Sequence, residues 1–140
     1  MLTTWGVVLE LDGDAGDGPA GSAGRWFALG RRAYFERCPR LAAFLDAEGA
    51  SLVVTAEQVE PVAPGSGTGG LIVGISVIEV RSSSFDMAVR IRRLGRAAGR
   101  PANGRCTLLI QHRTSGERIP LPREIRDEFI AIQLAARELC

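Results

Sequence analysis

Lysine is absent from this chain. All seventeen basic residues are arginine, set against sixteen acidic ones, for a net charge of +1. Schiff-base chemistry through lysine and a Walker-type phosphate lysine are therefore excluded. So small a net charge gives no bulk electrostatic attraction to nucleic acid or to a membrane surface, and neither is expected as a partner. Histidine occurs once, at His112, which makes a catalytic triad or a His-rich metal site hard to assemble. The three cysteines, Cys38, Cys106 and Cys140, are odd in number and lack metal-ligand spacing; Cys38 and Cys106 lie in apolar contexts and read as buried thiols. No apolar run approaches the ~20 residues of a membrane span. The opening MLTTWGVVLELDGD has neither a basic start nor an apolar run of signal-peptide length. The expectation is a cytoplasmic protein with reduced thiols.

What is present organises around Ser22 to Glu48. Phe27, Gly30, Tyr34, Cys38, Leu41 and Leu45 fall at spacings of three or four, one face of a helix. Arg31, Arg32, Glu36, Arg37 and Arg40 take the side suited to water. Pro39 must kink this helix or open a second short one as its first residue, and Gly49 supplies a stop. Thr4 to Leu11 and Ser51 to Val59 read as strands. Leu71 to Val80 is apolar on both faces and reads as a central, doubly covered strand. Ser82 to Arg93 alternates: Phe85, Met87, Val89 and Ile91 point one way, and Asp86, Ala88, Arg90 and Arg92 the other. Arg105 to Thr114 follows a hairpin loop, and a last helix runs from Arg123 to about Glu138. The 140 residues form one domain, 1–140, with no internal repeat. One long helix and three or four later antiparallel strands joined by hairpins predict an α+β unit, a curved sheet packed on a helix. Its open edge and apolar face predict a homodimer or larger assembly.

Several local patterns carry no chemistry. Asp12-Gly-Asp14 hints at a calcium loop, but Ala23 stands where a bidentate Glu is required. Gly65 to Gly70 leads into a strand and lacks lysine, so it is a turn rather than a phosphate cradle. His112 reads as structural. Arg31 and Arg32 suit a solvated helix face, or the orientation of a carbonyl or carboxylate. Tyr34 suits the core, or the wall of a ligand pocket. Arg90, Arg92, Arg93, Arg96, Arg100 and Arg105 gather on one hairpin, either as a solvated strand end or as a grip for phosphates or an acidic protein face.

Five segments, in order, resemble the hotdog-fold acyl thioesterases of the 4-hydroxybenzoyl-CoA thioesterase-like group: RWFALGRRAYFERCP, VEPVAPG, EVRSSSFDMAVRIRRL, NGRCTLLIQHR and RIPLPREIRDEF. The resemblance covers most of the chain from Trp26 and extends to the enediyne-type and other polyketide-associated thioesterases. It implies a hotdog fold, a dimeric or tetrameric assembly and hydrolysis of an acyl thioester at the dimer interface. The thioester would be carried on coenzyme A or an acyl carrier protein, and no cofactor or metal would be needed. It further implies a loop carboxylate as nucleophile or base, Asp12 or Asp17, assisted by Arg31 or Arg32. Trp26, Phe27 and Tyr34 would lie along the acyl chain, with Arg90 and Arg92 on the carrier. Backbone donors at the helix start would polarise the thioester carbonyl. The loop departs from the family pattern. With Trp26-Phe27 aligned to the family's aromatic pair, Gly16 falls on the motif glycine and Asp17 on its His/Asn. Leu11 then falls on the catalytic Asp, and a one-residue slip would put Asp12 there. Gly18-Pro19-Ala20-Gly21 replaces the segment that follows. The departure leaves a second expectation open: a hotdog protein that binds a polyketide or acyl group, or steers its cyclisation, without hydrolysis.

Overall fold

The structure is a computed structural model that describes residues 5–11, 22–60, 70–93 and 101–139. The elements run β1 (Val7–Leu11), α1 (Ser22–Phe35), α2 (Pro39–Glu48), β2 (Ala50–Val59), β3 (Leu71–Val80), β4 (Ser84–Arg93), β5 (Ala102–His112), β6 (Arg118–Ile119) and α3 (Arg123–Leu139). The strands form one antiparallel sheet in the order β1-β3-β4-β5-β2, with β6 paired to the end of β5. Helix α1 packs on one face of it. This is the hotdog fold that the sequence leads one to expect.

Helix α1 reaches the sheet through its apolar stripe. Phe27 and Tyr34 are fully buried, as are Cys38 and Leu41 beyond its end. Gly30 faces β3 so closely that a Cβ there would lie 3.1 Å from a Val73 methyl, so its missing side chain sets the helix-to-sheet distance. Of the two outcomes open at Pro39, the structure takes the second. The chain leaves α1 through a tight turn, with Arg37 N–H donating to Tyr34 and Cys38 N–H to Phe35. Pro39 then opens α2, where its missing donor costs nothing. Cys38 gives α2 no side-chain cap. Glu128 of α3 supplies one instead, accepting from Arg40 N–H at 2.9 Å and Leu41 N–H at 3.1 Å. Gly49 ends α2 with φ at +59°, a conformation that favours glycine.

The alternation in β4 holds on its inner face: Phe85, Met87, Val89 and Ile91 are all buried. Phe85 meets Phe129 of α3 at 5.0 Å between ring centroids, and Phe129 meets Tyr34 at 6.1 Å, so α3 closes one end of the core.

Four expectations are corrected. Strand β2 is not joined to β3 by a hairpin; it lies at the far edge of the sheet, paired with β5. Strand β3 is covered on both faces only as far as Val77. There a bulge leaves Ile78 without a ladder partner and turns it outward, 46 % exposed. Asp86, on the outward side of the alternation, is buried rather than solvated. The chain also makes a short strand, β6, that its brief ERIP run does not announce.

Candidate functional site

The described residues bring one charged pair to the beginning of the central helix. Arg31 and Phe27 are four residues apart on α1, and helical side chains lean toward the N-terminus. The Arg31 guanidinium accordingly lies back over the Phe27 ring, 4.7 Å from its centroid. From there Arg31 Nη1 donates to Glu57 Oε2 of β2 at 2.7 Å and sits 3.8 Å from Cys106 Sγ of β5. The Arg31 side chain is only 13 % exposed and that of Glu57 28 %. Arg31 therefore does not lie on the water side of the helix, as its position in the pattern implies. The other Glu57 oxygen overlies the first turn of α1, since a Cβ on Gly24 would stand 3.5 Å from Glu57 Oε1. A helix N-terminus carries unpaired N–H groups and positive potential, so a carboxylate is favourably placed there. The site thus combines a partly exposed carboxylate and a guanidinium beside the first turn of α1. Burial raises the Cys106 thiol above its ordinary value, and the nearby Arg31 only partly offsets this. Cys106 is a neutral wall of the site, not a thiolate nucleophile.

The remaining sequence-derived candidates fall in different places. Asp12 and Asp17 lie outside the described residues. Arg32 points to solvent and pairs only with Glu36, one turn on, at 3.7 Å. Trp26, Phe27 and Tyr34 are buried in the core cluster. The Tyr34 hydroxyl donates to Gln133 Oε1 at 3.4 Å, and burial holds its phenol well above the usual range, so it stays protonated. Arg90 and Arg92 occupy the sheet face turned away from α1. There Arg90 stacks over Trp5 at 5.7 Å and donates to Asn103 Oδ1 at 3.1 Å. The structure therefore joins Arg31 and Phe27 in one site and separates them from Arg32, Arg90 and Arg92. His112 ties the end of β5 to α2, its Nδ1 donating to the Glu48 carbonyl at 3.2 Å. Among the described residues no group of His, Cys, Asp and Glu is arranged to hold a metal.

Glu57 is the site residue that sequence reasoning passes over. One signal was available: it is the only charged side chain in ASLVVTAEQV. Asp86, unlike Glu57, is a buried carboxylate, and it is built differently. Its oxygens accept from Arg81, from Arg105 Nη2 at 2.6 Å and from Thr107 Oγ1 at 2.8 Å. Arg81 and Arg105 also both pair with Glu79. Hydrogen bonds from Arg81, then those from Arg105 and Thr107, outweigh burial and hold the Asp86 carboxyl well below the usual range. Ionised and saturated with donors, it staples the outer sheet face and has no free lone pair for a substrate.

No protein-family model matches the chain, and no curated protein matches it in sequence. Solved structures do match its fold. The DHNA-CoA thioesterase of Staphylococcus aureus is similar at a TM-score of 0.71 and 16 % identity, over 95 % of this chain and 94 % of that one. The dynemicin thioesterase gives 0.69 and 21 %, over 89 % and 95 %. A thioesterase of Thermus thermophilus, solved with coenzyme A and zinc, gives 0.66 and 22 %, over 94 % and 98 %.

Proposed function

We propose that the chain hydrolyses acyl thioesters, carried on coenzyme A or on an acyl carrier protein. The likeness in fold to thioesterases supports the reaction class. The observation that carries the reading is the Arg31–Glu57 pair lying over the first turn of α1. Hydrolysis needs donors for a developing oxyanion and a base for water. The N–H groups of a helix first turn, which have no acceptor within the helix, and the Arg31 guanidinium are suited to the first task. A carboxylate, either Glu57 or one of the loop aspartates Asp12 and Asp17, would take the proton of the attacking water. Water adds to the thioester carbonyl, the tetrahedral intermediate collapses, the C–S bond breaks, and the thiolate leaves with the proton. No cofactor is required.

Among the described residues β2 is paired on one side only, its other edge lies beside this pair, and the run from Val54 to Gln58 is exposed. Pairing of that edge with a second copy would exclude water from the site, which supports a homodimer, or a homotetramer built from dimers. The acyl chain, a polyketide being one suitable kind, would run along α1 past Trp26, Phe27 and Tyr34. Arg90 and Arg92 would meet the carrier, as phosphates or an acidic protein surface. A second reading has one specific support: the Glu57 carboxylate is already engaged by Arg31, which weakens it as a base. The chain would then bind a polyketide or acyl thioester, or steer its cyclisation, without cleaving it.

The test is thiol release over short, long and aromatic acyl-CoAs and one acyl carrier protein conjugate. Variants Asp12→Asn, Asp17→Asn, Glu57→Gln and Arg31→Gln are run alongside. Turnover lost in one carboxylate variant and in Arg31→Gln supports hydrolysis and identifies the base. Tight thioester binding with no turnover on any substrate supports the second reading.

A further inference from the structure

Strand β2 changes faces partway along. Its register with β5 is regular from Ala50 to Val54 and again from Ala56 to Val59, and between the two runs Thr55 has no partner. Thr55 is therefore a one-residue bulge. Side chains of a strand alternate between faces, so one extra residue reverses the alternation beyond it. Before the bulge the even positions face the helix: Ala50 and Leu52 stand opposite His112 and Ile110, and Ala50 and Ile110 are fully buried. After it the odd positions do. Glu57 stands opposite Cys106 and Val59 opposite Gly104, and Val59 packs on the core. Ala56 stands opposite Thr107, whose hydroxyl donates to Asp86 on the outer face.

The reversal decides which residue meets Arg31. On an unbroken ladder continued from Val54, Ala56 would stand opposite Cys106 and Glu57 opposite Arg105. Glu57 would then join Glu79 and Asp86, which already pair with Arg105. The Arg31 side chain, 13 % exposed, would have a methyl group beside it in place of a carboxylate. A charge so far withdrawn from water is costly without a partner. With the bulge, Glu57 Oε2 lies 2.7 Å from Arg31 Nη1, and its other oxygen overlies Gly24. The bulge is also held. Thr55 Oγ1 donates to the Thr107 carbonyl at 3.4 Å, and the Thr107 hydroxyl is fixed on Asp86 at 2.8 Å. The network on the outer face thus anchors the strand where it bulges.

We propose that this bulge is the positioning element of the candidate site and that Thr55 is its positioning residue. The extra residue turns Glu57 through the sheet onto Arg31 and the start of α1. On an unbroken ladder the carboxylate would have to be carried at position 56. The bearing on catalysis rests on the hydrolytic reading above; the aiming of Glu57 does not.

Crosslinking tests the aim, because Cys106 already supplies one thiol. Opposed residues of an antiparallel pair lie within disulfide range, so Glu57→Cys is expected to join Cys106 on mild oxidation, read by peptide mass. Ala56→Cys should leave Cys106 reduced. A second variant moves the charge by one position. Ala56→Glu combined with Glu57→Ala should erase the coupling between the carboxylate and Arg31, measured by denaturant melts with and without Arg31→Met. On a thioester that the native chain cleaves, it should lose as much kcat as Glu57→Ala alone. Thr55→Val removes the hydroxyl at nearly constant shape and should lower kcat about fivefold with KM unchanged, the effect of one lost hydrogen bond, and Thr55→Ser should restore it. A crosslink at position 56 instead of 57, coupling or turnover retained in the relocated variant, or equal turnover of Thr55→Val and the native chain would each overturn the proposal. A disulfide at position 57 and lost coupling in the relocated variant, in a chain that cleaves no thioester, would uphold the aim of Glu57 and remove the hydrolytic reading alone.

Discussion

The Arg31 guanidinium and the Glu57 carboxylate meet at 2.7 Å, and this contact ties the central helix to the edge strand β2. If the two act as one unit in thioester cleavage, their effects will not add. Arg31→Met keeps the stacking on Phe27 and removes the charge; Glu57→Gln keeps the shape. Each single variant is expected to lower kcat/KM at least about tenfold, close to 1.4 kcal/mol of transition-state stabilisation. The double variant should be no worse than the weaker single. Steady-state kinetics on the best acyl thioester measures this, and multiplicative losses would show that the two act independently.

Asp86 makes stability depend on acid. Its folded carboxyl titrates below the unfolded value of about 4, so its contribution is complete above about pH 5 and disappears as pH falls below about 4. Asp86→Asn leaves Arg81 and Arg105 with Glu79 as their one shared counter-charge and should cost about 2 kcal/mol at pH 7. The partial exposure of both arginines keeps the loss at that size. Denaturant melts from pH 7 down to pH 2 should show the two proteins converging at the acid end. A gap of constant size would mean that packing, not charge, accounts for the loss.

Glu128 caps a helix to which it does not belong. Replacing it with Ala leaves two N–H groups at the start of α2 without an acceptor, with an expected loss of about 1 kcal/mol. Glu128→Gln can satisfy one of them and should fall between. Hydrogen exchange provides the local readout: the amides of Arg40 and Leu41 should lose protection ahead of those in β4.

Cys38 and Cys106 are both buried, with thiols pushed up by that burial. The Cys38 thiol reaches about 12, so at pH 8 its thiolate fraction is on the order of 10⁻⁴. Neither should react with iodoacetamide in the native protein, and both should do so in guanidinium. Peptide mass spectrometry after a pulse of reagent distinguishes the two states, and native labelling at Cys106 would show that the site opens to solvent.

What could be read in advance was local. Pro39 and Gly49 delimit α2 because each acts on its own backbone, and the inner face of β4 follows from spacing alone. What could not be read depends on partners distant in the chain. Nothing in SLVVTAEQV says that its ladder is with β5 rather than with β3, and a bulge of one residue at Ile78 is invisible to a pattern of period two. Asp86 looks like any outward strand residue until Arg81 and Arg105 converge on it. The candidate site was half legible. Arg31 was selected from its place on α1, but its partner Glu57 comes from another element, and the aspartates weighed for that role fall outside the described residues.

The pairing of β2 with β5 also sets a schedule for synthesis. Ala50 pairs with His112 and Val59 with Gly104, so β2 waits 45 to 62 residues for β5, its one partner among the described residues. At roughly 5–20 residues per second on the ribosome, that is an interval of several seconds with both edges of β2 bare. Through that interval β3 and β4 emerge and can cover α1, while α2 rests on β2 without the β5 strand that holds β2 in the sheet. Polysomes carrying this message are where chaperone demand should be greatest, and slowing elongation between β2 and β5 should lower soluble yield even though the finished fold is unchanged.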